Sequence, residues 1–336
     1  MCQKVLTQLG YNGNLTRLPS GYHAKVFLLN QSALPVVLKI ISKPELADGQ
    51  LARQLLADMG LYADELRRIG VQSPSIDAQL LFSDGQWHLV ITSPYRGLDV
   101  STTIASAPAE HSLNVVTDIL TLLRQFFLHP VATQSLELQV GVDPKPANFT
   151  RDEQNQLNFV DTMPPRARRD GQPIVEFPIP QSAAGYQVAY FRHFDMRGIL
   201  VVLQTQLCRL RPQGRSEFRS TIRQFADEFR GNGLVTFLDE FAGTRFVAAG
   251  EAGRLEIIES LGTDDMYEMR DIGTQLIEEN PDLYGFEVLE QVFALSHFFH
   301  DNPAPGNIEL AKKILSAMTC RQPLRSFDST PKPVTA

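Results

Sequence analysis

The local sequence pattern changes once along the chain, from strand-forming to helix-forming segments. Four apolar runs in the first hundred residues are rich in β-forming residues: KVFLLN (25–30), PVVLKII (35–41), AQLLFS (78–83) and WHLVIT (87–92). Asp84-Gly85 separates the last two runs, which is a strong hairpin signal. Residues 51–70 carry leucines and isoleucine at helical spacing and end at Gly70. This part therefore predicts an antiparallel sheet of about four strands with one helix packed on it.

Helix patterns dominate the rest of the chain. The predicted helices are VVTDILTLLRQFFLHPVA (115–132), YQVAYFRHFDMRGILVVLQTQLCRL (186–210), SEFRSTIRQFADEFR (216–230), GLVTFLDEFAG (233–243) and a tract ending in ELAKKILSAM (309–318). A stretch from Val140 to Pro180, dense in Pro, Asp and Arg, predicts loops. Together the two patterns predict an α+β chain with its boundary near residue 96 and a flexible tail over 321–336.

Composition narrows the classes of partner. The chain has 31 Lys and Arg against 38 Asp and Glu, a formal net charge of −7, and no long basic run, so no nucleic-acid partner is expected. The apolar run LVVLQTQL is too short to cross a bilayer, so no membrane partner is expected either. The N-terminus lacks the features of a secretory signal, and three scattered cysteines make no disulfide framework, which together predict a cytoplasmic protein. An acidic chain still binds ATP if a few cations and a metal share one cleft.

The stretch from residue 141 to residue 161 contains the candidate catalytic and metal-binding residues. Residues 141–148 read Gly-Val-Asp-Pro-Lys-Pro-Ala-Asn, and Asp161 follows in the segment Asn-Phe-Val-Asp. Mg²⁺ prefers carboxylate and amide oxygens, completed by phosphate oxygens and waters, and Asn148 and Asp161 supply the first two kinds. The competing interpretation is ordinary turn chemistry, since Asp, Asn and Pro favour loops for their own hydrogen bonds.

This spacing resembles the catalytic loop and metal-binding aspartate of the protein-kinase-like superfamily, which includes aminoglycoside phosphotransferases and other small-molecule kinases. The resemblance implies that Asp143 is the catalytic base that orients the acceptor hydroxyl and takes its proton. It implies that Asn148 and Asp161 bind Mg²⁺, and that Lys145 lies beside the transferred phosphoryl group as a mobile cation.

The resemblance continues upstream of this loop. Lys39, in Pro35-Val-Val-Leu-Lys-Ile, matches the strand lysine that grips the α and β phosphates of ATP; in so apolar a run it needs an anionic partner. The phosphate-covering loop falls on residues 20–27 with Gly21, a weak signal alone. The helix acid paired with the lysine falls on Asp58, with Glu65 as the alternative. The hinge that binds adenine falls on residues 92–97, including Ser93 and Tyr95.

Departures from the family pattern indicate which branch this chain is similar to. Gly141 stands where the family has His, Thr162-Met163 stands where protein kinases have Phe-Gly, and no A-P-E signature follows. These losses argue against a regulated protein kinase. The resemblance thus implies a bilobed α+β fold, with residues 1–96 as a nucleotide-covering antiparallel β lobe and 97–320 as a larger, mainly helical lobe.

The expected activity is transfer of the γ-phosphoryl group of ATP, with Mg²⁺, to a small-molecule hydroxyl or amine. Two alternatives stay open: a pseudokinase that binds a nucleotide or partner without turnover, and a kinase-like enzyme that transfers AMP. Arg166, Arg168 and Arg169 follow the metal aspartate and allow two interpretations, a solvated loop or a site for an anionic acceptor.

Overall fold

The computed structural model describes residues 2–10, 15–18, 24–29, 35–133, 135–163, 165–176, 190, 192–230 and 232–242. The chain divides into two compact units at Ile179/Pro180, and each unit is described by itself. The candidate site residues that the structure describes all belong to the first unit. The predicted lobe boundary at residue 96 lies inside that first unit and stays a prediction.

An antiparallel sheet forms the first part of unit one. Its strands are β1 (Leu15–Arg17), β2 (Lys25–Leu29), β3 (Val36–Ile41), β4 (Asp77–Ser83) and β5 (Gln86–Pro94). They lie in the order β1-β2-β3-β5-β4, so β3 is the central strand. Asp84 and Gly85 join β4 to β5 with φ of 52° and 79°, which confirms the predicted hairpin. The central position of β3 explains why its side chains are apolar apart from Lys39.

Two helices cover the sheet. Helix α2 (Gly49–Arg68) starts at Asp48, whose Oδ1 accepts from the backbone N of Gln50 and Leu51, and it is followed by Gly70 with φ +76°. Its apolar face, including Leu55 and Met59, packs against β3 and β5. Helix α1 (Cys2–Gln8) packs on the sheet through buried Val5 and Leu6, which form a second apolar cluster with Leu38 and Ile40 of β3. Both α1 and the three-residue β1 were missed from the sequence because they are too short to show a periodicity.

The remainder of unit one contains two helices and two short hairpins. The elements are α3 (Ser101–Ser106), α4 (Ala109–Phe127), β6 (Phe149–Arg151), β7 (Leu157–Phe159), β8 (Arg166–Arg169) and β9 (Gln172–Glu176). Phe126 of α4 packs edge-on against Phe159, which also contacts Phe149, so an aromatic cluster anchors the β6–β7 hairpin on α4. These hairpins lie within the stretch 140–180 that was predicted to be rich in loops, and their strands are too short for a visible alternation.

Unit two is helical where it is described. Helices α6 (Arg215–Arg230) and α7 (Asn232–Ala242) confirm two predicted helices, and α5 (Met196–Leu210), which begins after Asp195, confirms the later part of the helix predicted over 186–210. Asp195 begins α5, accepting from the backbone N of Arg197 and pairing with its guanidinium at 2.6 Å. The predicted helix at 309–318 and the tail 321–336 lie outside the described residues. The α+β class, with an antiparallel sheet first and helices after it, is confirmed.

Within the part of the chain that the structure describes, every helix is too short or too polar to span a bilayer.

Candidate active site

Backbone hydrogen bonds hold the loop 141–148 at both ends. At its start, the backbone N of Gly141 donates to the carbonyl of Arg166 in β8 at 3.1 Å. At its end, residues 146–148 form one turn of 3-10 helix that leads into β6. The N of Val160 then donates to the carbonyl of Asn148 at 2.9 Å, which brings the chain after β7 beside the loop. The predicted catalytic and metal-binding segments are therefore neighbours.

Side-chain contacts join the four polar residues of these two segments. The Asn148 amide nitrogen Nδ2 donates to the carbonyl of Asp143 at 3.0 Å and to Oδ2 of Asp161 at 3.2 Å. Lys145 Nζ forms an ion pair with Oδ2 of Asp143 at 2.8 Å. Asp161 Oδ1 accepts from the backbone N of Met163 at 2.9 Å. Two carboxylates, a cation and an amide thus occupy one small region.

Lys39 approaches this cluster from the central strand. Its Nζ donates to the carbonyl of Val160 at 2.7 Å, one residue before Asp161. Burial lowers the pKa of Lys39, and the nearby Asp161 carboxylate partly opposes that shift. The attraction between the two charges supplies the anionic partner that a lysine in an apolar strand needs.

Asp161 has a perturbed pKa. Burial raises it to about 6, the Asp143 carboxylate adds to the rise, and Lys39 and Lys145 oppose it. Two carboxylates close together and partly removed from water are costly to ionise together unless cations are added. The site therefore favours the binding of further positive charge, and perturbed carboxylates of this kind are typical of functional sites.

The donors suit Mg²⁺ if phosphate oxygens complete its shell. Because Asn148 uses Nδ2 for both of its hydrogen bonds, its Oδ1 is the side-chain atom left to ligate a cation. Oδ2 of Asp161 faces the same amide group. Among the residues that the structure describes, no group of three His, Cys, Asp or Glu could hold a metal by itself. A Mg²⁺ site made of one amide, one carboxylate and the oxygens of a bound nucleotide fits this set.

The predicted pairing of Lys39 with a helix acid is not formed in the structure. Asp58, on the buried face of α2, accepts instead from Gln54 Nε2 at 2.6 Å. The alternative, Glu65, pairs with Arg68 at 2.7 Å. Each acid has a hydrogen-bond donor one helical turn away, so local i,i+3 and i,i+4 contacts satisfy both.

The predicted hinge continues strand β5. Ser93 lies opposite Val37 in the sheet, and the backbone N of Tyr95 donates to the carbonyl of Pro35 at 2.9 Å. The N–H of Tyr95 thus bonds within the protein, and the role of residues 92–97 as an adenine-binding hinge stays a prediction. Gly97 follows with φ +82°, where a Cβ would lie 1.8 Å from the carbonyl oxygen of Arg151. Only glycine permits this close crossing over β6. Gly21 of the predicted phosphate-covering loop lies outside the described residues.

The three arginines of β8 do not form one anion site. Arg168 is buried, with Nε donating to the carbonyl of Leu138 at 3.1 Å and its guanidinium paired with Glu137 at 3.2 Å. Arg166 is also buried and donates to the carbonyl of Pro165. Arg169 is exposed. The expectation of a shared anionic acceptor site is wrong for Arg168, because its guanidinium already binds the protein.

One residue near the site was missed from the sequence. The hydroxyl of Tyr62, on the buried face of α2, donates to the carbonyl of Gly141 at 2.7 Å. A buried aromatic residue at helical spacing is most simply interpreted as core packing, and no local pattern reveals the partner of its hydroxyl. Only the tertiary approach of α2 to the loop shows it.

Comparison with known proteins leaves the family unidentified. No protein-family model matches the chain, and no curated protein sequence matches it. Similar solved structures include the PknI kinase domain of Mycobacterium tuberculosis, at 17% identity and a TM-score of 0.36, covering 67% of this chain and 94% of that one. The MAP kinase LmaMPK10 from Leishmania major is 13% identical with a TM-score of 0.36, covering 95% and 97%. Likeness at this level does not establish what the chain does.

Proposed function

We propose that the chain is an ATP- and Mg²⁺-dependent phosphotransferase that transfers the γ-phosphoryl group to a hydroxyl or amine of a small molecule. One observation carries the proposal: Lys39, Asp143, Asn148 and Asp161, from three separate segments, meet in one hydrogen-bonded and charge-coupled cluster. Turn chemistry alone explains each loop residue singly, but it does not explain why a lysine from the central strand places its charge beside Val160 and Asp161.

The residues divide the reaction between them. Lys39 would bind the α and β phosphates, and Asn148 and Asp161 would hold Mg²⁺, which when bound neutralises charge on the phosphate oxygens. Asp143 would orient the acceptor hydroxyl and take its proton, as the acceptor oxygen bonds to the γ-phosphorus and the bond to the β–γ bridging oxygen breaks. ADP leaves with that bridging oxygen. Lys145, paired with Asp143, would move onto the transferred group as charge develops.

The segment after Asp161 supports a small-molecule acceptor. Met163 is buried among Leu55 and Met59 of α2, and its backbone N is bound to Asp161. The chain then enters the β8–β9 hairpin, whose first strand begins at Arg166. Regulated protein kinases instead carry Phe-Gly after this aspartate, and an activation loop with a phosphorylation site follows it up to A-P-E. This chain has neither motif.

Thermal unfolding with and without Mg²⁺-ATP tests the nucleotide site. A ligand at about 100 times its Kd stabilises by about 2.7 kcal/mol, so a clear rise in Tm is expected for the natural sequence. Lys39→Ala and Asp161→Ala should lose most of that rise, whereas Arg169→Ala, an exposed charge outside the cluster, should retain it. Equal shifts in all four proteins contradict the assigned site.

A screen for turnover tests the reaction. Amino acids, sugars, nucleosides and aminoglycosides are offered with Mg²⁺-ATP, and ADP and AMP are measured separately. ADP formation that depends on an acceptor supports the proposal, and AMP incorporated into the acceptor supports the AMP-transferase alternative. Phosphate found only on added protein substrates overturns the small-molecule acceptor. Binding without turnover of any acceptor supports the pseudokinase alternative.

A further inference from the structure

The hydroxyl of Tyr62 is a buried donor with one specific acceptor. Tyr62 is 2% exposed, and its hydroxyl lies 2.7 Å from the carbonyl oxygen of Gly141. Burial and the neighbouring carboxylates of Asp161 and Asp143 raise the pKa of Tyr62 well above its ordinary value. The hydroxyl is therefore protonated at neutral pH, and it acts as a neutral donor.

The acceptor stands at the entrance of the loop that carries the site. Gly141 is two residues before Asp143, and its N–H already donates to the carbonyl of Arg166. Both polar backbone groups of Gly141 are thus bound, one by β8 and one by α2. Glycine has the widest choice of backbone conformations, so without these two bonds the start of the loop is free to rotate.

Two further hydrogen bonds join the last residue of α2 and the chain that follows it to the segments that flank the site. The N of Phe159, two residues before Asp161, donates to the carbonyl of Gln72 at 2.8 Å. Arg68 reaches Gln139 Oε1 at 3.4 Å. Asp58, in contrast, bonds within the helix. Among the described residues, the tyrosine hydroxyl thus provides a direct hydrogen bond from α2 to the loop 141–148, whereas the predicted ion pair between Lys39 and a helix acid is not formed.

We propose that Tyr62 is the positioning residue of the active site: its bond to Gly141 fixes the loop so that Asp143 and Asn148 face Asp161. This inference rests on the proposed phosphoryl transfer. Because the bond is neutral and made to the backbone, it holds the loop with or without nucleotide, whereas an ion pair would change with every charge that enters the site.

Tyr62→Phe tests the inference, with Ser112→Ala as a matched control. Phe keeps the ring and removes the hydroxyl. Ser112 is also buried, and its hydroxyl donates to the carbonyl of Ile104 at 3.1 Å, outside the site. Both variants should unfold at a slightly lower temperature. Only Tyr62→Phe should lower kcat, by about tenfold, the value of one well-placed hydrogen bond, with the Kd for Mg²⁺-ATP unchanged within about twofold.

Hydrogen exchange of the backbone amides supplies a readout that needs no turnover. The backbone amides of residues 141–148, apart from Pro144 and Pro146, should exchange faster in Tyr62→Phe than in Ser112→Ala, with no difference elsewhere in unit one. Unchanged exchange in this loop overturns the inference, and so does faster exchange with unchanged kcat. If the natural sequence shows no phosphoryl transfer at all, the proposed function fails. The exchange result then decides alone whether Tyr62 fixes the loop.

Discussion

The loop 141–148 and strand β8 are both rich in charged residues, yet they use their charges differently. In the loop region, Asp143, Lys145 and Asp161 are satisfied mainly by one another and by Asn148. In β8, the guanidinium of Arg168 binds a backbone carbonyl and Glu137. The first arrangement leaves charges that a ligand can rearrange, whereas the second uses its charge to fasten the hairpin to residues 137–138. A charged residue beside a site is therefore a better binding candidate when its partners belong to the site itself than when they hold it to the rest of the fold.

The largest effect is expected on turnover, at Asp143. Asp143→Asn keeps the shape and removes the carboxylate that takes the acceptor proton, so kcat should fall by about 10² or more, at least about 2.7 kcal/mol of transition-state stabilisation. The affinity for Mg²⁺-ATP should change little. Steady-state kinetics with the acceptor found by the screen measure both quantities. If Asp143→Asn is as active as the natural sequence, the carboxylate of Asp143 stabilises the loop and takes no part in catalysis, as the charge of Arg168 stabilises β8.

The second effect is on stability, at Arg168. Arg168→Ala removes the bond to the buried Leu138 carbonyl and the pair with Glu137, which should destabilise the protein by about 2 kcal/mol. Arg169→Ala, at an exposed position, should change stability by less than about 0.5 kcal/mol. Chemical denaturation measures both. If Arg168→Ala raises the KM for the acceptor and leaves stability unchanged, Arg168 binds the acceptor and its structural role is contradicted.

The sequence predicted the loop cluster better than the arginines for a physical reason. Asp143, Asn148 and Asp161 form a spaced motif, and such spacing reflects a local backbone path that the chain itself determines. The burial of Arg168 depends on Glu137 and Leu138, which approach from another segment. Likewise, helical spacing places Asp58 and Tyr62 on one face of α2, but it does not say which of the two meets the loop. Contacts between distant segments decide these cases, and no local pattern contains them.

A third, smaller effect concerns pH. The pKa of Asp161 is raised to about 6, so between about pH 4 and 6 the folded state holds a proton that the unfolded state loses. The free energy of unfolding therefore decreases as pH rises through this range, and the deficit persists above it. The asparagine of Asp161→Asn is neutral at every pH, so the variant avoids the cost of a buried carboxylate. Without Mg²⁺ at pH 8 it should be more stable than the natural sequence by about 1 kcal/mol. This value is below that of the full pKa shift because Asp161 is only half-buried and solvent screens part of the cost.

The difference between Asp161→Asn and the natural sequence should shrink as pH falls below about 6 and disappear below about pH 3, where Asp161 is neutral in the folded and the unfolded state. Addition of Mg²⁺-ATP at pH 8 should reverse the order of stability, since only the natural sequence retains the carboxylate ligand. Thermal unfolding across pH, with and without Mg²⁺-ATP, measures each step. An Asn variant that is less stable at every pH would show that the carboxylate stabilises the fold, as Arg168 does in β8.

The smallest effect is expected on nucleotide affinity, at Asp58. Like Arg168 in β8, Asp58 is bound by a group of the protein outside the site. Its carboxylate is buried and accepts from Gln54 Nε2 at 2.6 Å. Burial raises the pKa of Asp58, and the bond from Gln54 opposes that rise. Asn has the same shape and still accepts this bond through Oδ1. Asp58→Asn should therefore leave the Kd for Mg²⁺-ATP within about twofold, while Lys39→Ala in the same titration raises it by about tenfold or more.

The double variant tests whether Asp58 pairs with Lys39 when the nucleotide binds. If it does, the effects of Asp58→Asn and Lys39→Ala on the Kd will not add, because each substitution removes half of one pair. Additive effects, with a coupling energy below about 0.5 kcal/mol, are expected, since the hydrogen bond of Lys39 goes to the carbonyl of Val160 and its charge is attracted by Asp161.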